Sequence, residues 1–338
     1  MALIKRRDAV RSGLVLSAGL LSAPFVARGA LGAEPEHTLK LTYADVATSP
    51  VRPVLDRFAA KVGQLTGGAV EIRVFPQGEL GSQMNILTGL QTGIIDFCAH
   101  ASGFIQTIYP EVAVLDFPYL FQSADVAAKV LDGPVGAELF KIMPAKGIYG
   151  LCWGHWGWRH TSTNERHLAQ PSDMKGMKIR VQPGAIYGAT FKTLGAIPVV
   201  VDASELYVAL SQHTVDAIEN PLPTVVASKW YEVLKVVNLT GHTYNAGALM
   251  ASKRKLDQLK PAYQAAVKTA AAELSIDWRG TMANQTDEAI KFLTARGLAV
   301  QQVDIAAYKA AVQPVWTQFR TSIGATFVDF VFQQVASA

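Results

Sequence analysis

Hydrophobic and polar positions follow two periods that take turns along the chain. Leu39-Lys40-Leu41-Thr42-Tyr43 and Val70-Glu71-Ile72-Arg73-Val74-Phe75 read as strands. Between them, Val54, Leu55, Phe58, Ala59 and Val62 recur at helical spacing within 51–65, and Gly67-Gly68 stops that helix. Ser82 to Gln91 reads as a helix capped near Ser82, and Ile94 to Ala99 as a buried strand. A second set follows the same rhythm. Ile148 to Trp153, Lys178 to Val181, Ile197 to Val201 and Val215 to Ile218 read as strands. Ala185 to Leu194 and Ser204 to Ser211 read as helices, the latter capped by Ser204. This alternation predicts an α/β layer fold.

Beyond Lys260-Pro261, an alanine-rich run to Phe292 has a single glycine, Gly280, and no further proline. It predicts one long helix able to brace two domains. The chain of 338 residues exceeds one comfortable core, so two domains are expected. No internal repeat or low-complexity linker separates them, which implies that the chain crosses between them more than once.

The N-terminus changes the charge argument. Lys5, Arg6, Arg7 and Arg11 precede an apolar stretch, Gly13 to Val26, and then the small residues Gly29, Ala30, Gly32 and Ala33. That is the layout of an export signal at 1–33, cleaved after Ala33. Arg6-Arg7-Asp8-Ala9-Val10-Arg11 is similar to a twin-arginine signal, with the general secretory route as the alternative. The protein has 31 Lys+Arg and 27 Asp+Glu. Five of those cations and one anion fall in 1–33, so the remainder carries equal numbers of each. No basic surface for nucleic acid is implied. Cys98 and Cys152 each lie in an apolar run and read as buried thiols rather than a disulfide framework.

A search for catalytic sets finds no Gly-x-Ser-x-Gly elbow, no His-Glu-x-x-His helix and no glycine-rich phosphate loop. His155, His160 and His167 share one stretch without Cys or Asp, so no metal and no cofactor are expected. Two segments do carry chemistry. In Met177-Lys178-Ile179-Arg180-Val181, followed by Pro183-Gly184, alternation puts Lys178 and Arg180 opposite Ile179 and Val181, so one cation is free to point into a cleft. A guanidinium matches a carboxylate with two parallel hydrogen bonds. In Trp153-Gly154-His155-Trp156-Gly157-Trp158-Arg159-His160, aromatic rings and a cation have the composition of a small-molecule pocket. Trp156 or Trp158 is placed to stack on an apolar ligand face.

Further motifs occur in order: Phe75-Pro76-Gln77-Gly78-Glu79-Leu80-Gly81, Gly93-Ile94-Ile95-Asp96, Phe117-Pro118-Tyr119-Leu120-Phe121, Leu194-Gly195-Ala196-Ile197-Pro198, Glu205-Leu206-Tyr207-Val208-Ala209-Leu210, Glu219-Asn220-Pro221 and Trp230-Tyr231-Glu232-Val233. Together with the arginine segments they make the chain resemble the solute-binding proteins of TRAP (tripartite ATP-independent periplasmic) transporters, in the dicarboxylate-binding branch. The resemblance implies a periplasmic-binding-protein-like fold of two α/β domains, with crossing strands, a long bracing helix and a ligand cleft between the domains. The expected division is 34–156 with 246–285 against 157–245 with 286–338. The resemblance also implies a periplasmic, non-enzymatic monomer that captures a small organic acid for an ion-gradient-driven permease. A sensor subunit of a signalling system would use the same pocket, and a secreted enzyme is the remaining alternative.

By the same resemblance, Arg180 pairs with the ligand carboxylate, and Arg159 and Asn220 face the cleft. The first domain contributes from the loop holding Asp45 and Thr48, from Gln83 and Asn85, and from His100. Trp158, Trp156 and His155 are further candidates, as is Ala203, where relatives often carry an aromatic residue. His213 stands where relatives have glycine. These departures suggest a ligand with an apolar or aromatic portion beside its carboxylate, or a bulkier sugar acid.

Overall fold

The computed structural model describes residues 34–338; the export leader read at 1–33 lies outside them. Nine strands form one sheet: β1 (His37–Tyr43), β2 (Val70–Phe75), β3 (Phe97–Ala101), β4 (Ile148–Thr163), β5 (Lys178–Val181), β6 (Ile197–Val200), β7 (Ala217–Pro221), β8 (Val236–Ser252) and β9 (Ala299–Gln301). Their order is β2-β1-β3-β8-β4-β7-β5-β6, with β9 added to β8. The outer strands on each side pair in parallel, as helical crossovers require, whereas β8 and β4 pair antiparallel along their length. These two long strands belong to both halves. Gly247–Ala251 of β8 pair with β3 on one edge and face Tyr149–Gly154 of β4 on the other; Arg159–Thr163 of β4 pair with β7 on one edge and face Val236–Thr243 of β8 on the other.

Burial divides the molecule in the same way. One large apolar cluster covers β1–β3 and their helices, and Trp278 from the helix Pro261–Met282 is fully buried in it. Two smaller clusters cover the β5–β7 side. The C-terminal helices Gln313–Ile323 and Ala325–Ser337 put Val315, Val328, Val331 and Val335 into the large cluster. The sequence reading had placed 286–338 entirely with the second lobe. Apolar helix faces follow the surface they cover, not the order of the chain.

Several local expectations change. Ile94 is 71% exposed in the turn after Gly93, and the buried strand begins at Phe97 and runs to Ala101. Ser82 does cap its helix, its hydroxyl accepting from Asn85 N–H. Ser204 caps nothing; its N–H and hydroxyl both donate to Asp202, and the helix starts at Leu206. The bracing helix is two helices, Pro261–Met282 and Gln285–Ala295, so the alanine-rich pattern overstated its length. His213 sits at φ 54°, the left-handed conformation that a glycine there would adopt without strain. Cys98 and Cys152 are buried free thiols.

Candidate functional site

Nearly every parallel strand aims its C-terminal end at one cleft. Asp45 follows β1, Gln77 follows β2, Ala101 ends β3, Gln182 follows β5, Ala203 follows β6, and Asn220 and Pro221 end β7. Ligands of open α/β sheets bind in this position, outside the carboxyl ends of the strands. The cleft, open to solvent, spans about 480 Å³ of space outside protein atoms. Between its two sides runs the crossing segment of β4. There the register against β8 shifts between His155 and Trp158 and again between Arg159 and Thr161, and Gly157 takes φ 100°. Bulges of this kind re-aim side chains. Here they let Trp156 and Arg159 both line the cleft, while Trp158 does not.

The two cleft arginines differ in how their charge is met. Arg159 donates from Nε to Glu219 Oε2 and from Nη2 to Glu219 Oε1 (2.8 Å) and to the Glu219 carbonyl. Its Nη1 donates to Asn245 Oδ1 at 3.0 Å, and its guanidinium lies 5.1 Å from the Tyr187 ring centre. Burial opposes its charge, yet Glu219, Tyr187 and Asp116 raise its pKa above the ordinary arginine value. Burial likewise opposes ionisation of Glu219, but Arg159 and His242 hold its pKa below the usual range. This is a compensated buried ion pair.

Arg180, 2% exposed, donates from Nε to the Val201 carbonyl at 2.9 Å and from Nη1 to Asn220 Oδ1 at 3.3 Å. Among the described residues it forms no ion pair, and neither Nη2 hydrogen has a protein acceptor. Burial, with Arg159 adding to it, pulls its pKa down to about 10. An unpaired buried cation of this kind is costly unless a ligand supplies the anion.

The opposite side is held by the loop after β1. Trp156 Nε1 and the Ser49 hydroxyl (3.2 Å) both donate to Asp45 Oδ2. Burial raises the Asp45 pKa, against those two bonds and nearby Arg159. The Trp156 ring lies on Gly247, where a Cβ would come within 2.2 Å of it, and meets Trp278 edge-on at 4.9 Å. From the same loop the Thr48 hydroxyl donates to the Ala227 carbonyl at 3.1 Å, tying the first lobe to the second at the rim.

Of the residues named from sequence, Arg180, Arg159, Asn220, Trp156, Asp45, Gln83 and Ala203 line the cleft. Five do not. Trp158 packs edge-on against Tyr244 at 5.3 Å and is not among the residues lining the cleft. His155 stacks on Tyr244 and accepts from Gly157 N–H, and burial pushes its pKa down to about 4. Thr48 is at the rim contact just described. Asn85 is exposed on the helix that Ser82 caps. His100 sits behind the lining, stacked on Phe104, with Nε2 3.2 Å from the Gln83 carbonyl oxygen. The sequence reading missed Gln77, Phe104, Gln182, Trp230 and Asn245 as lining residues. Gln77 and Trp230 lie within quoted motifs and Gln182 directly follows one. Asn245 carries no local signal, because β8 was not recognised as a strand.

A family model described as bacterial extracellular solute-binding protein, family 7, matches residues 43–322. The chain belongs to this family. A solute-binding protein of Verminephrobacter eiseniae is 32% identical over 293 residues, covering 86% of this chain and 88% of that relative. The sugar acid binding protein DctPAm from Advenella mimigardefordensis, solved in complex with galactonate, superposes with a TM-score of 0.87 at 29% identity, covering 90% of this chain and 99% of that one. A TRAP periplasmic solute binding protein from a Polaromonas species, bound to D-erythronate, gives a TM-score of 0.84 at 31% identity, covering 88% and 98%.

Proposed function

We propose that this protein is the solute-binding component of a TRAP transporter. It captures a small carboxylate in the cleft between its lobes and delivers it to membrane permease subunits driven by an ion gradient. The observation that carries the ligand class is Arg180, a buried guanidinium whose Nη2 hydrogens face no acceptor among the described residues while the neighbouring Arg159 is consumed by Glu219. Asn220 braces Arg180 from the adjacent strand. The galactonate and D-erythronate in the two solved relatives support an acid of that size. The protein acts outside the cytoplasm, as a monomer, after removal of 1–33. No helix among the described residues is long and apolar enough to cross a membrane. The bound acid is carried and released unchanged.

The test is a thermal-shift panel on protein refolded to strip carried-over ligand, with galactonate, D-erythronate, succinate and neutral galactose. A ligand at 100 times its Kd adds about 2.7 kcal/mol and raises melting by several degrees. The expected result is a shift from at least one acid and none from galactose. A shift from galactose with none from any acid would refute the carboxylate reading.

A further inference from the structure

The hydrogen bonds that fix the cleft side chains also fix which way each one presents its donors and acceptors. Arginine only donates. Asn220 Oδ1 and Asn245 Oδ1 are therefore the atoms facing Arg180 and Arg159, and both amide NH₂ groups are directed away from the guanidinium groups. With the remaining Arg180 hydrogens, they make the second-lobe side a field of donors. The first-lobe side is the reverse. Both donors to Asp45 land on Oδ2, leaving Oδ1 with no protein donor among the described residues. Gln83, 7% exposed, has its Oε1 buried without a partner. The other carboxylates near the cleft are already engaged: Glu219 by Arg159 and His242, Asp202 by Ser204.

A ligand that satisfies this polarity has an acceptor end and a donor end. A hydroxylated monocarboxylate has both. A dicarboxylate of the same length has acceptors at both ends and would set its second charge against Asp45. We propose that Asp45, assisted by Gln83, selects hydroxy monocarboxylates and rejects the matching dicarboxylates. This rests on the carboxylate reading of Arg180 and adds to it the orientation of the ligand and the identity of its far end.

The experiment is calorimetric titration of stripped protein with two matched pairs: galactonate against galactarate, and D-erythronate against meso-tartrate. Each pair differs only in whether the terminal carbon is a primary alcohol or a carboxylate. Wild type is expected to favour the monoacid of the pair that fits by on the order of 50-fold, the size of one like-charge repulsion at about 7 Å with an effective dielectric near ~20. Asp45→Asn and Asp45→Ser should each shrink that ratio by at least about 10-fold, chiefly by admitting the diacid. Gln83→Met should weaken the monoacid and leave the diacid nearly as it was. Equal affinity of wild type for both members of a bound pair, or an unchanged ratio in both Asp45 variants, would overturn the proposal while leaving the carboxylate reading intact. Absence of binding by all four acids would overturn the proposal; succinate binding in the thermal-shift panel would then keep the carboxylate reading, and its absence there would remove that reading as well.

Discussion

Replacing Arg180 by alanine should weaken binding strongly yet leave the ligand-free protein nearly as stable as before. The structure supplies the magnitudes. Burial pulls the Arg180 pKa from 12.5 to about 10, a cost to the charged form on the order of 3 kcal/mol. The sign follows from linkage. The unfolded chain holds this proton more tightly than the folded one, so the penalty is present in full at any pH below about 10, neutral pH included. Truncation removes that penalty, but it also removes the bonds to the Val201 carbonyl and Asn220 Oδ1, each worth about 1 kcal/mol, and the packing of the side-chain stem. The net change is small, within about 3 °C of melting temperature. Affinity for whichever acid shifts wild type most should fall by about 2–5 kcal/mol, roughly 30-fold to several thousand-fold. Glu219→Gln provides the contrast. It leaves Arg159 buried without its counter-charge and should cost about 3–5 kcal/mol, or about 5–8 °C. Scanning fluorimetry and calorimetry on the two ligand-free variants separate these effects. If Arg180→Ala melts lower than Glu219→Gln, the assignment of one free and one compensated arginine is wrong.

Gly103 lies against the second lobe, and a Cβ there would sit 2.3 Å from Gln182 Nε2 and 2.9 Å from the Tyr187 ring. Gly103→Ala should therefore wedge the lobes apart and raise Kd by at least about 10-fold, read by calorimetry. Asp116 is fully buried, and burial raises its pKa to about 7 against hydrogen bonds from Ser102 and Tyr187. Its contribution to stability is complete below the ordinary aspartate range and is lost as pH rises through about 7. Asp116→Asn should accordingly gain on wild type by about 2 kcal/mol between pH 5 and pH 8 in denaturant titrations, and an unchanged gap would count against this ionisation. Trp158→Ala should bind within about 2-fold of wild type, since its ring packs on Tyr244 outside the cleft; a large loss of affinity would restore it as a contact.

The parallel parts of the fold were legible because each strand and helix there has one face to bury. Val51–Leu65 and Val70–Phe75 announce themselves by period, and Ser82 by its capping position. The antiparallel centre was not legible. In β8, Asn238, Thr240, His242, Thr243 and Asn245 are buried polar residues, which erase the hydrophobic pattern. Asn238, Thr240, His242 and Asn245 are tolerated because each has a specific side-chain partner, such as Asn238 Oδ1 accepting from Leu168 N–H and His242 Nδ1 lying 2.9 Å from the Thr240 hydroxyl. Those partners are distant in sequence or on bulged strands, so no local window reports them. The tryptophan-rich stretch misled for a related reason. Its composition marks a pocket wall, but register shifts at Gly157 decide which of its rings faces the pocket.

The chemistry of the cleft was legible to the level of residue type and no further. Family resemblance gave Arg180 the ligand carboxylate and Arg159 a place in the cleft, but composition and local pattern give no reason for the difference. What separates them is the carboxylate each can reach. Glu219 pairs with Arg159 because Thr161 lies opposite Glu219 in the β4–β7 register, which puts Arg159 and Glu219 on one face, two residues out of step. Arg180 lies opposite Ile218 and so shares a face with Asn220. One side of β7 therefore offers an anion and the other offers only an amide. A shift of β7 by a single residue would exchange these faces and pair Glu219 with the β5 side. The charge left over for a ligand is thus set by strand register and not by the composition of the site.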